Sequence, residues 1–222
     1  MKRYLAAAFW ALCGLLFLGC RHPQYALYTS PSRDFQCRVP WAWDVMSDAE
    51  GAHFANVTFL GPFDPAFYLG APSFSVRWYA RSATHRLRDG TLEMYKGPDD
   101  YIQQTLETVY GKDRRMERPV QDLAVDGRKF KYFVVVSAGP AQAEARWGTA
   151  LDETGKVINP RKHAYAVFAM PGGCYVLIYP ATRQGYEKYQ KEFDELVKSF
   201  VPLKDGPGGA LSPSPAQAKP VR

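Results

Sequence analysis

The stretch VQDLAVDGRKFKYFVVV, residues 120–136, leaves the backbone few choices. Two runs of alternating apolar and polar character flank Asp126-Gly127. A type I′ turn needs positive φ at both central residues, which Asp and Gly accept more readily than other pairs. The segment therefore predicts an antiparallel hairpin, with Phe130, Tyr132, Val134 and Val136 on one face.

The same period recurs along the chain. Phe35, Cys37 and Val39 share a face in DFQCRVPWAWDV, where Pro40 ends the run. Ala55, Val57 and Phe59 do so in HFANVTFLGP, and Phe74, Val76 and Trp78 in SFSVRWYA. HAYAVFAM and CYVLIYP, joined by PGG, are apolar enough to form a central strand pair. Residues 138–161 lose the pattern and read as a long loop or an extended hairpin. Two segments change period instead. In GPDDYIQQTLETVYG, Pro98 suits a first helical turn, Asp99 and Asp100 favour its positive end, and Ile102, Leu106 and Val109 make one stripe before Gly111. In TRQGYEKYQKEFDELVKSF, Tyr186, Tyr189, Phe193, Leu196, Val197 and Phe200 fall on one helical face, with Lys198 near the negative end. Strands dominate and amphipathic helices need a sheet to cover. The fold class is α+β, a mainly antiparallel sheet flanked by helices.

The chain opens with Lys2 and Arg3, then carries no charge from Tyr4 to Cys20. This is the basic and apolar pattern of an export signal, somewhat short of the roughly 20 residues of a spanning helix. Leu18-Gly19-Cys20 resembles the lipobox of bacterial lipoproteins, with Phe17 where Leu is usual. That resemblance implies cleavage before Cys20, a diacylglycerol on its thiol and an acyl group on its new amine. The divisions that follow are a signal over 1–19, a lipidated linker over 20–33, a globular domain over 34–203 and a disordered tail over 204–222. The tail's Pro, Gly and Ser cannot bury enough apolar surface to order it. The expected location is exported and anchored in a membrane by lipid. In a Gram-negative host that means the outer membrane facing the periplasm, because Arg21 rather than Asp follows the cysteine; otherwise it means the outer face of the cell membrane.

The formal charge is +6, of which two units belong to Lys2 and Arg3. So modest a charge in an exported protein argues against nucleic acid as a partner. Of four cysteines, Cys13 lies in the signal and Cys20 takes lipid. Cys37 and Cys174 remain, either as a disulfide or as two buried thiols.

FQCRVPWAW, YIQQTLETVYG, VDGRKFKYF and FDELVKSF occur in this order with an apolar hairpin before the last. The arrangement resembles the PsbP-like proteins, relatives of an extrinsic photosystem II subunit that include many bacterial lipoproteins. The resemblance spans Tyr25 to Leu203 and implies an α/β/α sandwich with a binding or assembly role. It carries over neither photosystem membership nor a metal-binding position.

No H-E-x-x-H, C-x-x-C, G-x-S-x-G, Walker or dinucleotide motif is present. His22, His53, His85 and His163 are scattered; His53 and His163 read as satisfied strand histidines. Asp99 with Asp100 marks a helix start rather than calcium. Neither catalysis, metal nor cofactor is expected. The aromatic residues Trp41, Trp43, Phe63, Phe67 and Tyr68 lie in Pro-rich loops, where exposed rings would anchor a partner. The leading reading is a monomeric, non-catalytic accessory module that binds an envelope protein complex. A carrier of a hydrophobic ligand and an envelope hydrolase with a spatially assembled site are the alternatives.

Overall fold

At the tip of the hairpin, Asp126 and Gly127 both adopt positive φ, +47° and +77°, as a type I′ turn requires. The computed structural model describes residues 23–206 apart from 49–53, 68–69, 87–91, 113, 138–149, 152–156 and 159–160. Within these residues the strands are β1 (Tyr25–Thr29), β2 (Phe35–Pro40), β3 (Asp44–Asp48), β4 (Phe54–Leu60), β5 (Ser73–Ala80), β6 (Thr84–Arg86) and β7 (Leu92–Met94). Helix α1 (Pro98–Gln104) runs into a π-helical turn, Thr105–Val109. β8 (Arg114–Val125), β9 (Arg128–Ser137), β10 (Ala150–Leu151), β11 (Val157–Ile158), β12 (Arg161–Met170) and β13 (Gly173–Thr182) follow. Helix α2 (Tyr186–Ser199) and β14 (Val201–Pro202) close the fold.

One seven-stranded sheet, ordered β3-β4-β5-β13-β12-β9-β8, is the scaffold, and its strand pairs are all antiparallel. The pleat sends alternate residues to opposite faces. From β9 and β13, Phe130, Tyr132, Val134, Tyr175, Leu177 and Tyr179 meet Phe193, Leu196 and Val197 of α2 and Phe35, Cys37 and Val39 of β2. From the same strands, Phe133, Val135, Cys174, Val176 and Ile178 meet Tyr101 and Ile102 of α1 on the other side. The small sheet β1-β2-β14 shares the first face with α2. The architecture is α+β in three layers.

Arg128 joins the hairpin turn to the end of α2. Its guanidinium donates to the carbonyls of Phe200 and Lys198, the latter at 2.9 Å. Carbonyls at a helix C-terminus have no partner within the helix, and an arginine satisfies them well.

Three expectations change and one open alternative closes. The linker expected over 20–33 contains β1, which pairs along its length with β2, from Tyr25↔Pro40 to Thr29↔Gln36. At the other end, Lys204 and Gly206 belong to the fold: Lys204 Nζ donates to Ser32 O at 2.6 Å and Gly206 packs on Trp78. Val109 is exposed, because the π-helical turn shifts the phase of the stripe that includes Ile102. Finally, Cys37 and Cys174 are free. Cys37 projects toward α2 and Cys174 toward α1, so the main sheet separates two thiols that a disulfide would need within bonding distance. Cys20, His22, His53 and Tyr68 lie outside the described residues, as do the tail beyond Gly206 and most of 138–161.

Candidate functional site

Strand directions bring three connections to one end of the main sheet. β3 begins where β4 ends, with Asp44 opposite Leu60. β4 hands over to β5 there through residues 61–72, and β13 hands over to α2 through 183–185. The turn 41–43 enters the same end from β2.

The loop 61–72 is short of regular structure but well tied. Gly61 N donates to Pro72 O at 2.8 Å and closes its base. Asp64 N donates to Gly70 O at 2.7 Å, and Gly70 N donates to Phe67 O at 2.9 Å. Asp64 organises the rest: its Oδ1 accepts from Ala66 N at 2.9 Å, and both its oxygens accept from Lys188 Nζ on α2, at 3.0 and 2.9 Å. The Ala66 amide first, and then Lys188, hold its carboxyl below the ordinary aspartate range. Thr182 Oγ1 donates to Ala66 O and accepts from Gly185 N, so one hydroxyl links loop and helix start.

The aromatic residues divide into braces and tips. Phe67 is 3% exposed and packs on Tyr179 and Tyr189 at centroid distances of 6.4 and 5.7 Å. It fits because residue 185 is glycine: a Cβ there would lie 2.8 Å from its ring. Trp43 is half-buried against Phe74 at 4.7 Å and Tyr189 at 5.7 Å, and it covers Gly61 in the same way. Phe63, by contrast, is 82% exposed, its ring edge beside Gly70. Trp41 is 47% exposed, in a turn where Ala42 takes φ +62°. Of the five sequence candidates, Phe67 and Trp43 are therefore supports and Trp41 and Phe63 are tips. Sequence could not sort them, because Gly185 and Tyr189, which hold Phe67, lie more than a hundred residues away.

Trp41 also marks where the chain enters the fold. Its amide donates to Gln24 O at 3.0 Å, and Tyr25 pairs with Pro40 beside it. Val45 and Met46, next along the edge strand β3, are exposed as well.

A second polar cluster lies inside the molecule. Tyr110 hydroxyl is hydrogen-bonded to His163 Nδ1 at 2.5 Å and to Tyr165 hydroxyl at 2.6 Å. Arg161 lies 5.4 Å above the Tyr110 ring. Burial, and then the nearby Arg161 charge, press the His163 pKa down to about 3. The imidazole is thus neutral at ordinary pH and is held in the packing between sheet and α1. Sequence periodicity placed His163 on a strand but gave no sign of its tyrosine partners. Among the described residues, no group of three His, Cys, Asp or Glu side chains is arranged to hold a metal ion.

No protein-family model matches the chain, and no curated protein does. Solved structures with a similar fold include the cyanobacterial PsbP protein CyanoP from Synechocystis sp. PCC 6803. It is 15% identical with a TM-score of 0.47, over 83% of this chain and 95% of that one. LpqN of Mycobacterium tuberculosis, described as involved in cell envelope biogenesis, is 11% identical with a TM-score of 0.40, over 83% of this chain and 94% of that one. A protein from Bacteroides thetaiotaomicron is 14% identical with a TM-score of 0.46 over 82% of this chain, which spans 50% of that protein's length. Identities and scores of this size carry no function across. A PsbP protein thus stands among the similar structures, and the chain is an α+β domain with a mainly antiparallel sheet.

Proposed function

We propose that this protein is an exported lipoprotein, anchored through Cys20, that serves an envelope protein complex as a monomeric, non-catalytic accessory module. The observation that carries this reading is the aromatic end. Two exposed rings, Trp41 and Phe63, sit on connections that ion pairing, hydrogen bonds and buried aromatic braces hold in place. Loops fixed on a rigid scaffold are the usual place for a contact surface, because little ordering entropy is lost when they engage. The interior histidine fits the non-catalytic reading. A group that titrates near pH 3 and is buried in packing is not matched to proton transfer at neutral pH.

Crosslinking in the native cell before lysis tests the reading, with the full chain compared against Cys20→Ala. The expected result is one reproducible envelope protein recovered with the full chain and lost with the variant. Recovery that does not depend on Cys20, or turnover of an envelope substrate by the purified protein, would overturn it.

A further inference from the structure

We infer that the aromatic end is a membrane-contact surface, with Trp41 and Phe63 seated in the interfacial layer of the bilayer. The inference rests on the anchor at Cys20 and names what the same end touches. The first observation is reach. Thirteen steps of free chain, from Cys20 to Arg33, could extend about 45 Å. β1 belongs to the fold, and Gln24 is already tied to Trp41 by the 3.0 Å hydrogen bond. Only four steps of chain separate Cys20 from Gln24, a span of at most about 14 Å. The headgroup layer on one side of a bilayer is about 5–7 Å deep. An acylated Cys20 therefore holds the Trp41 turn at the lipid surface and leaves the domain little freedom to lift away.

The second observation is the chemistry of what that tether presents. Trp41 and Phe63 are apolar rings on turns tied by backbone hydrogen bonds at Trp41 and Asp64, and the indole also carries an N–H for headgroup or water. Such side chains collect at the level of lipid headgroups. Arg183, exposed, stands at the same end in the turn into α2, while Lys188 beside it is already paired with Asp64. A cation there is attracted by anionic lipid. The third observation is the opposite end. β14 pairs with the start of β2, and Gly206 lies beside Trp78 near the β12–β13 turn, so the last described residues sit at the end of the domain away from Trp41. Seating the aromatic end in lipid fixes the orientation of the domain on the membrane.

The test places a nitroxide at residue 63 in Phe63→Cys and, as a control at the far end, at residue 171 in Pro171→Cys. Pro171 is exposed in the β12–β13 turn. Cys37 and Cys174 are buried, so the label reaches only the introduced thiol. Acylated full chain is reconstituted in vesicles of phosphatidylethanolamine and phosphatidylglycerol. Accessibility to oxygen, which prefers lipid, is compared with accessibility to a water-soluble nickel complex. The expected result is a label at 63 that favours oxygen, a label at 171 that favours nickel, and a shift of residue 63 toward nickel when Trp41→Ala is added. A label at 63 as accessible to nickel as that at 171, on protein whose acyl mass is verified, overturns the inference and leaves the anchor standing. If the label at 63 is aqueous in vesicles yet immobilised in native membranes, the end binds a protein and the inference also fails. Lack of acyl mass on Cys20 overturns the anchor itself, and the reach argument falls with it; mass alone reads that outcome.

Discussion

Phe63 and Phe67 sit four residues apart on one loop and should respond to truncation in opposite ways. Phe67 is 3% exposed, wedged among Tyr179, Tyr189 and Gly185. Replacing a buried Phe by Ala costs about 3–5 kcal/mol, and a loop that can partly collapse belongs at the lower end. We expect Phe67→Ala to lose about 3 kcal/mol. For a domain of this size each kcal/mol moves the melting temperature by about 2–4 °C, so the midpoint should fall by about 6–12 °C. Phe63 is 82% exposed, and its truncation should change stability by no more than about 0.5 kcal/mol. Urea and thermal melts followed by circular dichroism measure both. Equal losses for the two variants, or a neutral Phe67→Ala, would refute the division into brace and tip.

Arg128→Ala should cost about 1–2 kcal/mol by orphaning carbonyls of Lys198 and Phe200, read as a lower urea midpoint; an unchanged midpoint would show that water replaces the guanidinium freely. Neither Cys37 nor Cys174 should react with a thiol reagent at pH 8 until the protein is denatured, since burial pushes both thiols up, Cys174 to about 12. A melting temperature that falls with reductant would contradict this. His163 makes stability depend on pH. The unfolded chain takes up its proton near pH 6.5 and the folded protein only near pH 3, so the contribution is complete above pH 6.5 and is lost as pH falls toward 3. The limiting slope is about 1.4 kcal/mol per pH unit. His163→Gln should flatten the dependence between pH 6.5 and 5 in urea titrations, and curves that run parallel to wild type would contradict the assignment.

Legibility in the sequence followed how locally each element is determined. The β8–β9 hairpin was visible because Asp126-Gly127 and the alternation of Phe130, Tyr132 and Val134 agree. Helix α2 was visible because Phe193, Leu196 and Val197 repeat at helical spacing and are all buried. β1 was hidden. Its residues are only partly buried, Leu27 faces solvent, and the strand exists through its pairing with β2 rather than through its own pattern. β3 failed for a similar reason: as an edge strand with Val45 and Met46 both exposed, it shows no buried face to read. The π-helical turn defeated a period of 3.6, which is why Val109 fell out of the stripe. At the aromatic end, composition located the loops, but the partners that bury Phe67 and spare Phe63 come from β13 and α2. Linear distance hides such contacts.

Mass spectrometry of the protein extracted from native membranes tests the anchor most directly. The mature chain is predicted to begin at Cys20, with a diacylglycerol on the thiol and a further acyl group on the amine. Unmodified Cys20 inside a longer chain, or an N-terminus downstream of it, would contradict the tether that sets the aromatic end against the membrane.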